Sequence, residues 1–245
     1  MGSGRNFSRI LRVLDKYGAK ATFFVNCRIL DPNHPDYDVT YLGRMRRLQR
    51  DGHTIANHSY SHFSQGSYWY NYYRDHPVFR DDGSLSPPPN SSAQGYTYHY
   101  GFKQGLTHLR NEIDACDVIM NTHGLHAYDP IFRPPFGEYM PVLATALAQA
   151  GYSASYVLNW DISTCDYVTS TTAGQIKRAL VDGIVPRACA DNSYMTTRPL
   201  RHGDIVLLHW SKNNSVKTAA GLDLALASLS DSFDFVALQN ESRSF

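Results

Sequence analysis

Two histidines four residues apart open the chemical reading of this chain, in the run His58-Ser59-Tyr60-Ser61-His62. On a helical turn that spacing puts both imidazoles on one face, as a divalent metal requires. A further histidine, His209, follows the apolar run Asp204-Ile205-Val206-Leu207-Leu208. Imidazole titrates near neutrality, so a histidine held at a strand end suits a general acid. Asp166 is a partner that would hold and tune it; its plainer reading is a helix N-cap or turn residue. Arg133 stands before Pro134-Pro135. It would either make a structural ion pair or orient a catalytic carboxylate with two parallel N–H donors. The two prolines stiffen that turn, which would leave the backbone N–H of Phe136 to point at a developing oxyanion. Each feature alone is weak. A lone rim histidine is more often structural, and a His pair at this spacing arises readily in a chain with 11 His.

What gathers these residues is the alternation of elements around them. Ile10, Leu11, Val13 and Leu14 recur at helical spacing in a segment that stops at Gly18. Ala19 to Val25 is a β-branched and aromatic run that predicts a buried strand. Val39 to Arg50 predicts a helix with Tyr41, Leu42, Met45 and Leu48 on one face, and His53 to Asn57 a strand. After residue 105 the rhythm resumes. Helices are expected at Leu106–Met120, Pro141–Ala150, Ala173–Val181 and Leu222–Leu229. Strands are expected at Pro130–Arg133, Ser153–Trp160, Asp204–Leu208 and Phe233–Leu238. Repeated strand–helix units predict an α/β fold with a parallel sheet, open or closed into a barrel. Active sites of such barrels gather at the C-terminal ends of the strands. His58, His62, Asp166 and His209 follow predicted strands, and Arg133 ends one.

Taken together and in order, these segments resemble the polysaccharide deacetylases, the NodB-homology domains of carbohydrate esterase family 4. The resemblance rests on His58-Ser-Tyr-Ser-His62, Arg133-Pro-Pro-Phe136, Trp160-Asp-Ile-Ser-Thr-Cys-Asp166-Tyr167 and Leu207-Leu-His209, and on Ala19 to Val25 before them. It covers nearly the whole chain. It implies a deformed (β/α) barrel and a divalent metal, most often zinc, held by an Asp and two His. On that resemblance His58 and His62 would be metal ligands. His209 would be the general acid, Asp166 its partner, and Arg133 would position the catalytic base. The Phe136 amide would complete the oxyanion site, and Trp160, Tyr167 and Leu207 would form walls around the sugar. The family's first motif, a strand ending Thr-Phe-Asp-Asp-Gly, has no counterpart in the 245 residues. The sequence therefore predicts a barrel short of its first strand, with weak or no activity for residues 1–245 alone. It leaves three readings: a deacetylase of N-acetylglucosamine polymers such as chitin, an inactive glycan-binding relative, and an acetylxylan esterase. Asp15 falls within the first predicted helix and is no substitute for the absent Asp pair.

Composition narrows the partners. With 23 Lys+Arg against 22 Asp+Glu the net charge is +1, so nothing favours a nucleic-acid backbone. No apolar run is long enough to span a membrane. Seventeen of the aromatics are Tyr, a side chain whose flat face and hydroxyl suit sugar rings. They crowd a segment at about 63–105, with Tyr68-Trp69-Tyr70, Pro87-Pro88-Pro89 and Tyr96, Tyr98 and Tyr100. It reads as a surface insertion within one domain over 1–245, and long ordered loops are usually functional. Cys27, Cys116, Cys165 and Cys189 allow two disulfides in three pairings, or four thiols. No signal-peptide core precedes the first helix, and the resemblance implies a secreted or cell-envelope protein at full length. Asn6, Asn57, Asn90 and Asn240 begin sequons, which matter only in a eukaryotic secretory path. The oligomeric state is not legible.

Overall fold

The computed structural model describes residues 4–62, 101–125, 131–137, 141–152, 158–189, 198–210 and 215–238. The chain forms two compact units, a central one of residues 22–158 with 238–245, and a terminal one of residues 1–21 with 159–237. The insertion expected at 63–105 lies outside the described residues up to residue 100. Asn90, Asn240 and most of the strand expected at Ser153–Trp160 lie outside them too.

In the central unit β1 (Thr22–Val25) pairs in parallel with β2 (Thr54–Asn57), Phe23 opposite Ile55 and Val25 opposite Asn57. A parallel bridge from Asn57 to Phe132 and a bond from the Leu158 N–H to the Phe132 carbonyl (2.9 Å) carry the pairing onward. Between β1 and β2 runs α2 (Val39–Arg50), as its periodicity predicts; Asp38 caps it, and Tyr41, Leu42, Met45 and Leu48 are buried. A single 3-10 turn, Cys27–Leu30, leads out of β1. The long α3 (Gly101–Thr122) begins earlier than its apolar spacing predicts and takes in the end of the expected insertion. It packs with α4 (Pro141–Gln149) around Leu109, Ile113, Phe132, Leu143, Leu147 and Tyr152. Cys27 is joined to Cys116 of α3.

In the terminal unit α1 (Gly4–Lys16) packs on α6 (Ser215–Leu229), with Lys16 Nζ 2.7 Å from the Asp223 carboxylate. β3 (Ile162–Ser163) pairs in parallel with β4 (Val206–Leu207). That ladder is shorter than the run Asp204–Leu208 predicts, because the chain turns away at Cys165, which adopts φ +55. α5 (Ala173–Val181) starts at a capping box between Thr172 and Gln175. Ile162, Leu180, Leu200, Ala225 and Leu229 form the core. Cys165 is joined to Cys189, so all four cysteines are paired.

The strand expected at Phe233–Leu238 does not form. The segment is irregular, with Val236 76% exposed, and makes isolated bonds in place of a ladder: Lys20 N–H to the Phe235 carbonyl (2.7 Å) and Leu238 N–H to Thr22 Oγ1 (2.8 Å). Apolar content alone supplied that expectation, and a strand requires a partner edge in register. Among the described residues no helix is long and apolar enough to cross a membrane.

Two glycines separate packing from helix propensity. A Cβ on Gly221 of α6 would lie 2.6 Å from Ile176 Cβ and 3.0 Å from the Ala173 carbonyl, whereas one on Gly43 of α2 meets nothing within 4 Å. Overpacking costs about 1–3 kcal/mol, and the gain in helix propensity is about 1 kcal/mol. Gly221→Ala is therefore expected to lower the melting midpoint and Gly43→Ala to raise it, measured by scanning calorimetry on both variants.

Candidate active site

The His58–His62 segment is a loop leaving β2 rather than a helical turn. Ser59 and His62 both hold positive φ, +66 and +57, which non-glycine residues rarely adopt. The loop nevertheless brings the two imidazoles together, with ring centroids 4.8 Å apart. Irregular backbone succeeds here because its polar groups are satisfied one by one. The Ser59 N–H donates to Asn57 Oδ1 (2.8 Å), and the His62 N–H to Ser59 Oγ (3.1 Å). The His58 N–H donates to the Val25 carbonyl (3.1 Å), and the Cys27 N–H to the Ser59 carbonyl (3.1 Å). Below the loop, Asn57 is buried at 2% exposure, and the two N–H donors of its Nδ2 lie within hydrogen-bond reach of the Ile113 carbonyl, Asp117 Oδ1 and the Tyr152 hydroxyl. In the folded chain the Asn57 side chain is thus inaccessible to a glycosylating enzyme.

His58 Nδ1 lies 2.7 Å from the Arg133 carbonyl. A carbonyl only accepts, so this contact requires the proton on Nδ1 and leaves the lone pair on Nε2, the tautomer that suits a metal ligand. The Arg133 side chain is 6% exposed; its Nε donates to the Leu158 carbonyl (3.2 Å), and its guanidinium lies 4.1 Å from the Phe24 ring centroid. Burial lowers its pKa to about 10, so it remains a cation at neutral pH. After Pro134 the chain makes a tight turn. Phe136 has φ +60, and the Gly137 N–H rather than that of Phe136 closes the turn on the Pro134 carbonyl (3.0 Å). The Phe136 ring is 58% exposed and lies 4.9 Å from His62. The central unit therefore brings His58, His62, Arg133 and Phe136 together.

The terminal unit builds a second group. His209 Nδ1 lies 2.8 Å from Asp166 Oδ1, and the His209 N–H donates to Asp166 Oδ2 (2.6 Å). Thr218 Oγ1 of α6 donates to the same Oδ2 (2.9 Å). The Asp166 side chain is 1% exposed, while that of His209 is 41% exposed. A buried carboxylate thus grips one imidazole nitrogen and leaves the ring at the surface, the orientation a proton donor needs. The Tyr167 ring stands 5.3 Å from His209, and its hydroxyl lies 3.4 Å from Cys189 Sγ. Leu207 is half-buried in β4, and its carbonyl accepts from Thr164 Oγ1 (3.2 Å); Trp160 is half-buried on the approach to β3.

Among the described residues, positive φ outside glycine occurs at Ser59, His62, Phe136 and Cys165. All four fall in the segments singled out for their chemistry. Strain of this kind costs about 1–3 kcal/mol per residue and clusters at functional sites. The polysaccharide deacetylase family model matches residues 1–155. This chain belongs to the polysaccharide deacetylase family. Its fold is that of the family 4 carbohydrate esterases, the α/β fold of NodB-homology domains. An acetyl xylan esterase from Clostridium thermocellum, solved with a cobalt ion, is 22% identical over 97% of this chain and 83% of its own, with a TM-score of 0.61. A peptidoglycan N-acetylglucosamine deacetylase is 19% identical over 95% of this chain and 79% of its own, TM-score 0.60. A family 4 pseudoenzyme from Bacillus anthracis is 17% identical over 95% of this chain and 58% of its own, TM-score 0.58. No curated protein matches.

Several supporting residues of this deacetylase-family chain escape sequence reasoning. Glu112, Asp117 and Thr218, in helices that read as ordinary, and Tyr152, just after one, lie far along the chain from the groups they hold. Asp117 carries a testable consequence. Burial, more than any other influence, raises its pKa above the ordinary 3.8, against the hydrogen bonds from Tyr152 and Asn57. A carboxyl raised in the folded state binds protons preferentially there. Its stabilising contribution is full below the unfolded value and is lost as pH rises through the folded one. An amide at this position still accepts through Oδ1 and carries no charge. Asp117→Asn is therefore expected to gain stability relative to the parent as pH rises above the ordinary carboxyl value of about 4, as read from urea midpoints at acid and at neutral pH.

Proposed function

We propose that this protein hydrolyses N-acetyl groups from N-acetylglucosamine polymers or oligomers of the chitin type, with a bound divalent metal, zinc by preference. The observation that carries this reading is the His58–His62 pair with His58 Nδ1 pinned to the Arg133 carbonyl. Two imidazole donors, one with its tautomer already set for Nε2 ligation, fit a borderline metal such as zinc or cobalt. Among the described residues no third His, Cys, Asp or Glu completes a cluster, so water or residues outside them would supply further ligands. When bound, such an ion supplies Lewis acidity toward the acetyl carbonyl and lowers the pKa of a water.

The roles of this chain's own residues follow from their contacts. His58 and His62 hold the metal. His209, its Nδ1 held by Asp166, gives the proton of Nε2 to the departing amine nitrogen. The Phe136 amide donates to the developing oxyanion, and Arg133 would orient a carboxylate acting as catalytic base, a group that none of these residues supplies. Trp160, Tyr167 and Leu207 flank the sugar. The order of the motifs along the chain is what supports assigning both histidine groups to one reaction. The near-zero net charge and abundant Tyr favour an uncharged glycan. Two disulfides favour an oxidising, extracytoplasmic compartment.

A second reading is a glycan-binding relative without turnover, in keeping with the similarity to the family 4 pseudoenzyme from Bacillus anthracis. Esterase action on acetylated xylan is the same chemistry on a different acyl link. Acetate release from chito-oligosaccharides and from acetylated xylan, with added zinc or cobalt, distinguishes the three. Deacetylation predicts that His209→Asn lowers kcat/KM about 10²–10⁴-fold, and that His58→Ala removes activity together with bound metal. Oligosaccharide binding without acetate release would establish the second reading. Preferential release from xylan would establish the esterase.

A further inference from the structure

One helix holds the His58–His62 loop from one side, and a carboxylate on that helix bonds the residue just before His62. Glu112 of α3 is 8% exposed. Its Oε2 accepts the Ser61 N–H (2.8 Å), its Oε1 accepts the Ser61 hydroxyl (2.9 Å), and its own backbone carbonyl accepts the Tyr60 N–H (3.0 Å). One buried residue thus takes three donors from two consecutive loop residues. Ser61 immediately precedes His62, whose φ of +57 is costly without such restraint. We propose that Glu112 is a positioning residue, which sets the backbone of Ser61 and thereby aims the His62 imidazole for metal ligation beside His58. The inference rests on the reading of His58 and His62 as a metal pair, and adds a residue to it.

The geometry distinguishes aiming from simple burial. A buried carboxylate needs partners for its lone pairs, and any two donors would satisfy it. Here both oxygens converge on a single residue, and the two bonds form a clamp that fixes rotation of the Ser61 peptide. Four residues along α3, one helical turn away, Cys116 is joined to Cys27, whose N–H holds the Ser59 carbonyl at 3.1 Å. The same helix face therefore grips the loop twice, near Ser59 through the disulfide and near His62 through Glu112. Outer partners that orient metal ligands typically contribute 10–100-fold in metal affinity.

The test uses the whole chain and zinc or cobalt alone, with no substrate. Glu112→Gln preserves volume and one acceptor oxygen, so it keeps the helix packed while opening half the clamp; Ser61→Ala removes only the hydroxyl bond. Both are expected to weaken zinc affinity, Glu112→Gln by about 10–100-fold, and to alter the cobalt absorption spectrum. In the metal-free protein, amide hydrogen exchange at Ser61 and His62 is expected to accelerate in Glu112→Gln, while that of β1 stays as in the parent. Unchanged zinc affinity and unchanged cobalt spectrum in a folded Glu112→Gln protein would overturn the positioning role. If the parent chain binds zinc as tightly as a His58→Ala/His62→Ala variant, the metal reading itself fails and the proposal falls with it. Those two failures are told apart by the parent's own titration.

Discussion

The central constraint on this protein is backbone strain at the loops that carry its chemistry. Two imidazoles 4.8 Å apart on a five-residue loop require Ser59 and His62 at positive φ. Each such residue costs about 1–3 kcal/mol, while one net hydrogen bond returns about 1 kcal/mol. No single contact offsets that cost. A set of buried contacts does, and one helix supplies several of them. Glu112, the Ile113 carbonyl and Asp117 of α3 hold Ser61 and Asn57, and the Cys27–Cys116 bond joins the same helix to the chain leaving β1. The loop depends on α3, and α3 depends in turn on the apolar cluster it shares with α4.

The same logic governs the other unit with different parts. Asp166 sits just after Cys165, whose φ is +55, and its carboxylate has three donors within reach: His209 twice and Thr218 once. Burial makes an unsatisfied carboxylate expensive, so these bonds form together and fix the imidazole as a consequence. The Cys165–Cys189 bond closes the turn from the other side. Each unit therefore carries its own histidine group, at least one non-glycine residue at positive φ and its own disulfide. An α/β framework with short strands tolerates this because the irregular backbone lies in the connections that follow them. There side chains supply the hydrogen bonds that a longer ladder would have made.

The elements themselves were largely legible. The face of α2, the stop at Gly18, and the helix over Ala173–Val181 follow from periodicity and caps that act over a few residues. Phe233–Leu238 misled because strand formation depends on a partner edge, which no local pattern contains. The His58–His62 spacing was read on a helical template, and the pairing of the rings survived though the template did not. Positive φ at residue 62 and the tautomer of His58 depend on Glu112 and on the Arg133 carbonyl, at separations of tens of residues.

What the amino-acid sequence determines by itself is the inventory and its order. Histidines, an arginine, a carboxylate and a Pro-Pro turn stand after predicted strands in the sequence of one family's motifs. That is local information, carried by residue type and spacing. Tertiary structure alone decided which cysteines join, which carboxylates support rather than act, and which imidazole nitrogen bears the proton. Those outcomes turn on contacts between distant segments. Their energies come from burial and from satisfying polar groups in three dimensions, quantities that no spacing along the chain encodes.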